Sequence, residues 1–124
     1  MPTVPRPADP ERLRLRVPAE ADFVPLLRVT VRLGAGRMGW GDDLRAKAQA
    51  GVGAAFFALG PDDEPDRSVR LRVELGPDEL HMELATDVEL APGHELDTSP
   101  LDGIVDRWQV ADGGRTLRLW QHAS

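Results

Sequence analysis

The chain has no cysteine, which removes disulfides, thiolate nucleophiles and cysteine metal sites and fits a reducing compartment. No apolar run approaches the roughly 20 residues that a membrane-spanning helix needs. The amino end also lacks a basic region followed by an apolar block, so the expectation is an unexported, cytoplasmic protein with no membrane partner. Positive charge is in short supply. The formal charge of −6 and a pI near 5.0 argue against a nucleic-acid binder, whose affinity rests on clustered cations. Catalytic signatures are missing as well: there is no Walker-type loop, no GxGxxG, no HExxH and no serine, histidine and acid set that spacing can name. His81, His94 and His122 are scattered and read as surface residues. No metal ligand set follows from the sequence, and no catalytic residue is assigned.

What is present is one domain's worth of chain, 124 residues, enough for a two-layer core. Residues 1–10 hold Pro2, Pro5, Pro7 and Pro10 and read as an irregular tail, leaving residues 11–124 as the domain. Residues 11–17 alternate Leu13, Leu15 and Val17 against Arg12, Arg14 and Arg16, a half-buried strand. Pro18 and the acids after it open a helix whose apolar stripe is Phe23, Leu26, Leu27, Thr30 and Val31, broken near residue 33 by Gly34, Gly36 and Gly39.

A second helix, residues 42–59, starts on Asp42 or Asp43 and buries Leu44, Ala48, Val52, Ala55 and Leu59. Its middle is almost wholly alanine and glycine. Gly51 and Gly53 each weaken it by roughly 1 kcal/mol relative to alanine. Two explanations stand side by side: close packing against a neighbour, or room for a ligand on its face. Residues 60–66, GPDDEPD, read as a solvated loop, since no EF-hand-like spacing follows.

Two further alternating segments follow, Val69, Leu71, Val73 and Leu75, then Leu80, Met82 and Leu84, turned by Gly76, Pro77 and Asp78 into an antiparallel hairpin. Residues 88–99 are irregular, residues 100–106 form a short third helix, and residues 108–110 and 117–120 make a final hairpin turned at Asp112, Gly113 and Gly114. The fold class is therefore an α/β two-layer sandwich. It has a mixed, mostly antiparallel five-stranded sheet with about three helices on one face, in the order β-α-α-β-β-α-β-β. The other face carries arginines among Glu74, His81 and Glu83. That is either a solvated surface or a partner face on which Trp120 anchors a homodimer.

Taken together, LRLRVPAEADFVPLLRVTVR, DDLRAKAQAGVGAAF, IVDRWQV and GGRTLRLW resemble the histidine-kinase-like (GHKL, or Bergerat-fold) ATP-binding domains of the bacterial anti-sigma factor group, the serine protein kinases of partner-switching systems. The resemblance spans nearly the whole chain. It implies a second helix bearing a glutamate base and, four residues on, an asparagine that holds Mg²⁺; Ala50 and Ala54 stand at those positions. It implies an adenine-recognising aspartate and a glycine after the third strand, where Thr86 and Val88 stand with Asp87 adjacent. Of the glycine-rich lid only Gly93 is present, whereas a threonine near the adenine is matched by Thr116.

The resemblance thus implies a degenerate nucleotide site made of Ala50, Ala54, Thr86, Asp87, Gly93 and Thr116, with ATP and Mg²⁺ disfavoured as cofactors. The partner it implies is a sigma factor or a STAS-type anti-anti-sigma protein, met by Arg28 on the first helix. Three functions remain in view. One is a non-catalytic, partner-binding regulatory domain; another is a divergent ATP-dependent kinase using Asp87, Gly93 and Thr116; the last is a homodimeric scaffold.

Overall fold

The computed structural model describes residues 11–60, 66–87 and 96–122, the side chain of Glu11 excepted. The expectations for residues 1–10, for most of the acidic loop, and for Val88, Gly93 and His94 lie outside the described residues. The strand β1 (Glu11–Pro18) leads through a short 3-10 turn into α1 (Val24–Arg37) and α2 (Asp42–Ala58). The strands β2 (Ser68–Leu75) and β3 (Glu79–Thr86) follow, then β4 (Arg107–Ala111) and β5 (Thr116–His122). They form one sheet in the order β1-β2-β3-β5-β4.

Each of the four pairings is antiparallel, which corrects the expectation of a mixed sheet. The cause is the helix pair. Two helices carry the chain down and back, so β2 starts at the end where β1 finished, with Pro18 opposite Ser68. Alternation then sets the faces. Leu15, Leu71, Leu84 and Leu117 share one row across the sheet and Leu13, Val73, Met82 and Leu119 another, and both rows are covered by Leu27, Val31, Ala35, Val52 and Phe56. The opposite face holds the arginines. No helix among the described residues is long and apolar enough to cross a membrane.

Two helix expectations need correction. The first helix does not stop near residue 33 but runs on to Arg37, through Gly34 and Gly36. Gly34 lies so close to the sheet that a Cβ there would sit 2.5 Å from Leu75 Cδ1 and 2.8 Å from Leu13 Cδ1. The residue that ends the helix is Gly39, at φ +82°. The buried stripe is accordingly Val24, Leu27, Val31, Gly34 and Ala35, whereas Leu26 faces outward.

The expected third helix is a single 3-10 turn, Ser99–Leu101. Leu101 alone plugs the core, fully buried. By Asp106 the backbone N–H already donates to the Trp120 carbonyl, which leaves too few residues for a second turn. Gly103 in that interval would weaken one further.

Candidate functional site

The outer surface of the helix pair is where the small residues of α2 come to lie. Val52, Ala55 and Phe56 point into the core, so the 3.6-residue period puts Ala46, Ala50, Ala54 and Phe57 outward. Ala50 is exposed and Ala54 half-buried. Phe57 keeps 48% of its surface in solvent and Val29 on α1 keeps 43%. The Phe57 ring meets the buried Phe56 edge-on, centroids 5.9 Å apart, which fixes its place on the surface. From Ala50 to Ala58 the helix carries no carboxylate or amide side chain. Methyl groups can neither accept a proton nor ligate magnesium.

Each of the two α2 glycines has a separate reason. Gly51 admits the chain that follows the 3-10 turn: a Cβ there would lie 2.9 Å from Val105 Cγ1 and 3.7 Å from Ile104 Cγ2. Gly53 admits Arg28. Its added Cβ would stand 2.8 Å from Nη2, 2.9 Å from Nε and 3.3 Å from Cζ of that guanidinium, so Arg28, an exposed residue, lies across α2. A further contact between the helices, Gly36 beside Arg45, shows that they run antiparallel. The outer face thus combines an arginine, two large apolar side chains and a floor of alanines.

The remaining positions of the expected nucleotide site gather elsewhere. Thr86, Asp87 and Thr116 border a shallow hollow at the end of the sheet, together with Arg16, Arg70 and Arg115, and Ala50 and Ala54 take no part in it. Thr86 follows Leu84 on the helix side of the sheet, 4% exposed, and its Oγ1 has no partner among the described residues. Thr116 pairs with Ala85 and precedes the inward Leu117, which places it on the arginine face. Its hydroxyl donates to Asp112 Oδ2 at 2.8 Å.

Asp87 is already engaged. Its carboxylate accepts from the Ser68 N–H at 3.1 Å and from the Ser68 hydroxyl at 2.8 Å, fastening the end of β3 to the start of β2. Desolvation pushes its pKa up, but the Ser68 hydrogen bonds, its own backbone N–H and the nearby Arg16 outweigh this and hold it below the usual value.

Compared with family models and with curated proteins, the chain has no match.

Trp120 does stand on the arginine face, half-buried. Its ring stacks on His81 at 4.8 Å between centroids and 16° between planes, and Arg107 Cζ lies 4.0 Å from the ring centroid. These three side chains share one cross-strand row, so much of the indole surface is used within the sheet. One residue escaped the sequence reading altogether. Arg67 is 3% exposed, and its Nη2 donates to the Leu59 carbonyl at 2.8 Å and also to that of Gly60, capping the carboxyl end of α2. The signal was available: carried two residues back from Val69, the inward phase of β2 falls on Arg67.

Proposed function

We propose that this chain is a non-catalytic, anti-sigma-factor-like regulatory domain that acts by binding a protein through the outer face of α1 and α2. Its partner is a sigma factor or a STAS-type anti-anti-sigma protein. The observation that carries the reading is the exposed surface made by Arg28, Val29 and Phe57 over Ala50 and Ala54. Arginine and aromatic side chains surrounded by small apolar ones are the composition of interface centres. Solvated helix faces are ordinarily polar.

The same residues are a poor fit for a magnesium nucleotide. Where a base and a metal ligand would be needed there are two methyl groups, and Asp87 spends both carboxylate oxygens on Ser68. The test is direct titration of the purified chain with the sigma factors and STAS-type proteins of its own organism. Binding to one of them, weakened at least about ten-fold by Arg28→Glu or Phe57→Ser, is the expected result. Failure of every such protein to bind, or binding that neither substitution changes, overturns it.

A further inference from the structure

A second surface, away from the helix face, has a charge pattern that folding alone does not favour. On the outer face of the sheet Arg14 stands directly across from Arg72 and Arg16 directly across from Arg70. Like charges in directly opposed positions destabilise a strand pair. Among the described residues no ion pair engages any of these four arginines, although Arg118 on the same face has Glu83 at 3.1 Å. Glu83 lies across from Arg72 on β3 and Asp87 lies near Arg16, but neither separates the two opposed arginine pairs, so in a chain of net charge −6 the β1 side of this face is arginine-rich.

The block adjoins a free edge. β1 is the terminal strand of the sheet, eight residues long, and its whole length pairs with β2 on one side only. No described residue pairs with its other side, so its outward N–H and C=O groups form a template for one more strand. The helix-side flank of that edge is apolar. Leu13 and Leu15 are half-buried. On α1, Leu26, Val29 and Leu33 follow one another at the helical period as a single outward stripe, and Leu26 and Leu33 keep 44% and 63% of their surface in solvent.

From this pattern we infer that the free edge of β1 is a docking site for an extended segment of another protein in which acidic and apolar residues alternate. Such a strand adds to the sheet through main-chain hydrogen bonds. Its acidic side chains fall beside Arg12, Arg14 and Arg16, and its apolar ones beside Leu13 and Leu15. A carboxylate row turns the repulsion within the Arg14–Arg72 and Arg16–Arg70 pairs into attraction. A second copy of this chain is a worse occupant, because β1 laid against β1 sets arginine against arginine. A nucleic-acid backbone satisfies the charge but leaves the free peptide groups of the edge unpaired.

The experiment uses the full chain and a synthetic eight-residue peptide of alternating glutamate and valine. Controls are a peptide of the same composition with the glutamates in one block, an alternating lysine and valine peptide, and a single-stranded oligonucleotide of equal charge. Binding is followed by fluorescence anisotropy and by amide hydrogen exchange. The inference predicts that the alternating acidic peptide binds and that it protects alternate amides within β1. It also predicts that Arg14→Glu weakens binding about ten-fold or more while raising the thermal midpoint of the free protein, because an opposed like-charge pair becomes an opposite-charge one. Absence of binding, equal binding of the block peptide, protection of β1 by the oligonucleotide, or an affinity unmoved by Arg14→Glu each overturns it.

Discussion

Replacing Gly34 by alanine separates packing from helix propensity within a single helix. In an exposed helix interior the change stabilises by about 0.5–1 kcal/mol, since glycine loses more conformational freedom on folding. At Gly34 the new methyl lands 2.5 Å from Leu75 Cδ1 and 2.8 Å from Leu13 Cδ1, and Leu75 is fully buried, with nowhere to retreat. Overpacking of this kind costs about 1–3 kcal/mol. The net expectation for Gly34→Ala is a loss of about 1–2 kcal/mol, a fall in thermal midpoint of roughly 3–8 °C for a domain of this size.

Gly36 provides the control two residues along. A Cβ there meets only the Arg45 side chain, at 3.2 Å; the position is exposed, and the half-buried Arg45 pairs with the exposed Asp42. Gly36→Ala is therefore expected to gain about 0.5 kcal/mol or more. Urea unfolding of the two variants beside the parent, followed by circular dichroism at 222 nm, reads both signs. A Gly34→Ala protein as stable as the parent, or two shifts of the same sign, refutes the close approach of α1 to the sheet.

Gly53→Ala is expected to raise the unfolding free energy by up to about 1 kcal/mol, because the flexible side chain of the exposed residue Arg28 can swing clear, and a lower midpoint in the same unfolding assay would contradict that. The same substitution displaces Arg28 from the proposed partner face, so affinity for the partner falls as stability rises. Arg67→Met leaves the Leu59 and Gly60 carbonyls without their donor. Hydrogen bonds to charged groups contribute about 1.5–3 kcal/mol, so even after relief of a buried charge a loss of about 2 kcal/mol is expected by denaturant unfolding, and a neutral result would show that the cap is idle.

For Asp87→Asn the expected signature is its pH dependence. The folded carboxyl titrates below its unfolded value of about 3.9, so its contribution is complete above that value and disappears as pH falls through the lower folded one. The stability gap between parent and variant, measured by thermal unfolding from pH 7 to pH 3, should narrow below about pH 4. A gap of constant size would mean that the contacts with Ser68 do not depend on charge.

The strands were legible because alternation in residues 11–17, 69–75 and 80–84 is clean, and the side-chain faces follow from it without knowledge of register. The helix boundaries were less so, for reasons visible at single residues. A glycine is a breaker when its backbone needs positive φ, as at Gly39, and a packing device when a sheet lies against it, as at Gly34. Nothing in the composition of residues 33–39 separates the two cases. The third helix failed on chain length, because the ladder between β4 and β5 begins so soon after Leu101. Antiparallel pairing of β1 with β2 follows from counting the helices between them.

The small residues of α2 were legible as an anomaly, and for both glycines the explanation is close packing within the chain. Gly51 lets Val105 approach and Gly53 lets Arg28 approach. Ala50 and Ala54 were readable as substitutions within a pattern. The separation of Thr116 from Thr86 was not, because it depends on the phase in which β5 pairs with β3.

The proposed protein contact lies on the outer face of α2, where the resemblance would instead put a magnesium nucleotide. Backbone amide spectra of the full chain, recorded while Mg²⁺ and ATP are titrated together to millimolar concentration, test this most directly. The predicted outcome is no saturable shift at Ala50, Gly53 or Ala54 and no dissociation constant below about 100 μM, which corresponds to roughly −5.5 kcal/mol. Saturable shifts centred on Ala50 and Ala54 at lower nucleotide concentration would contradict it.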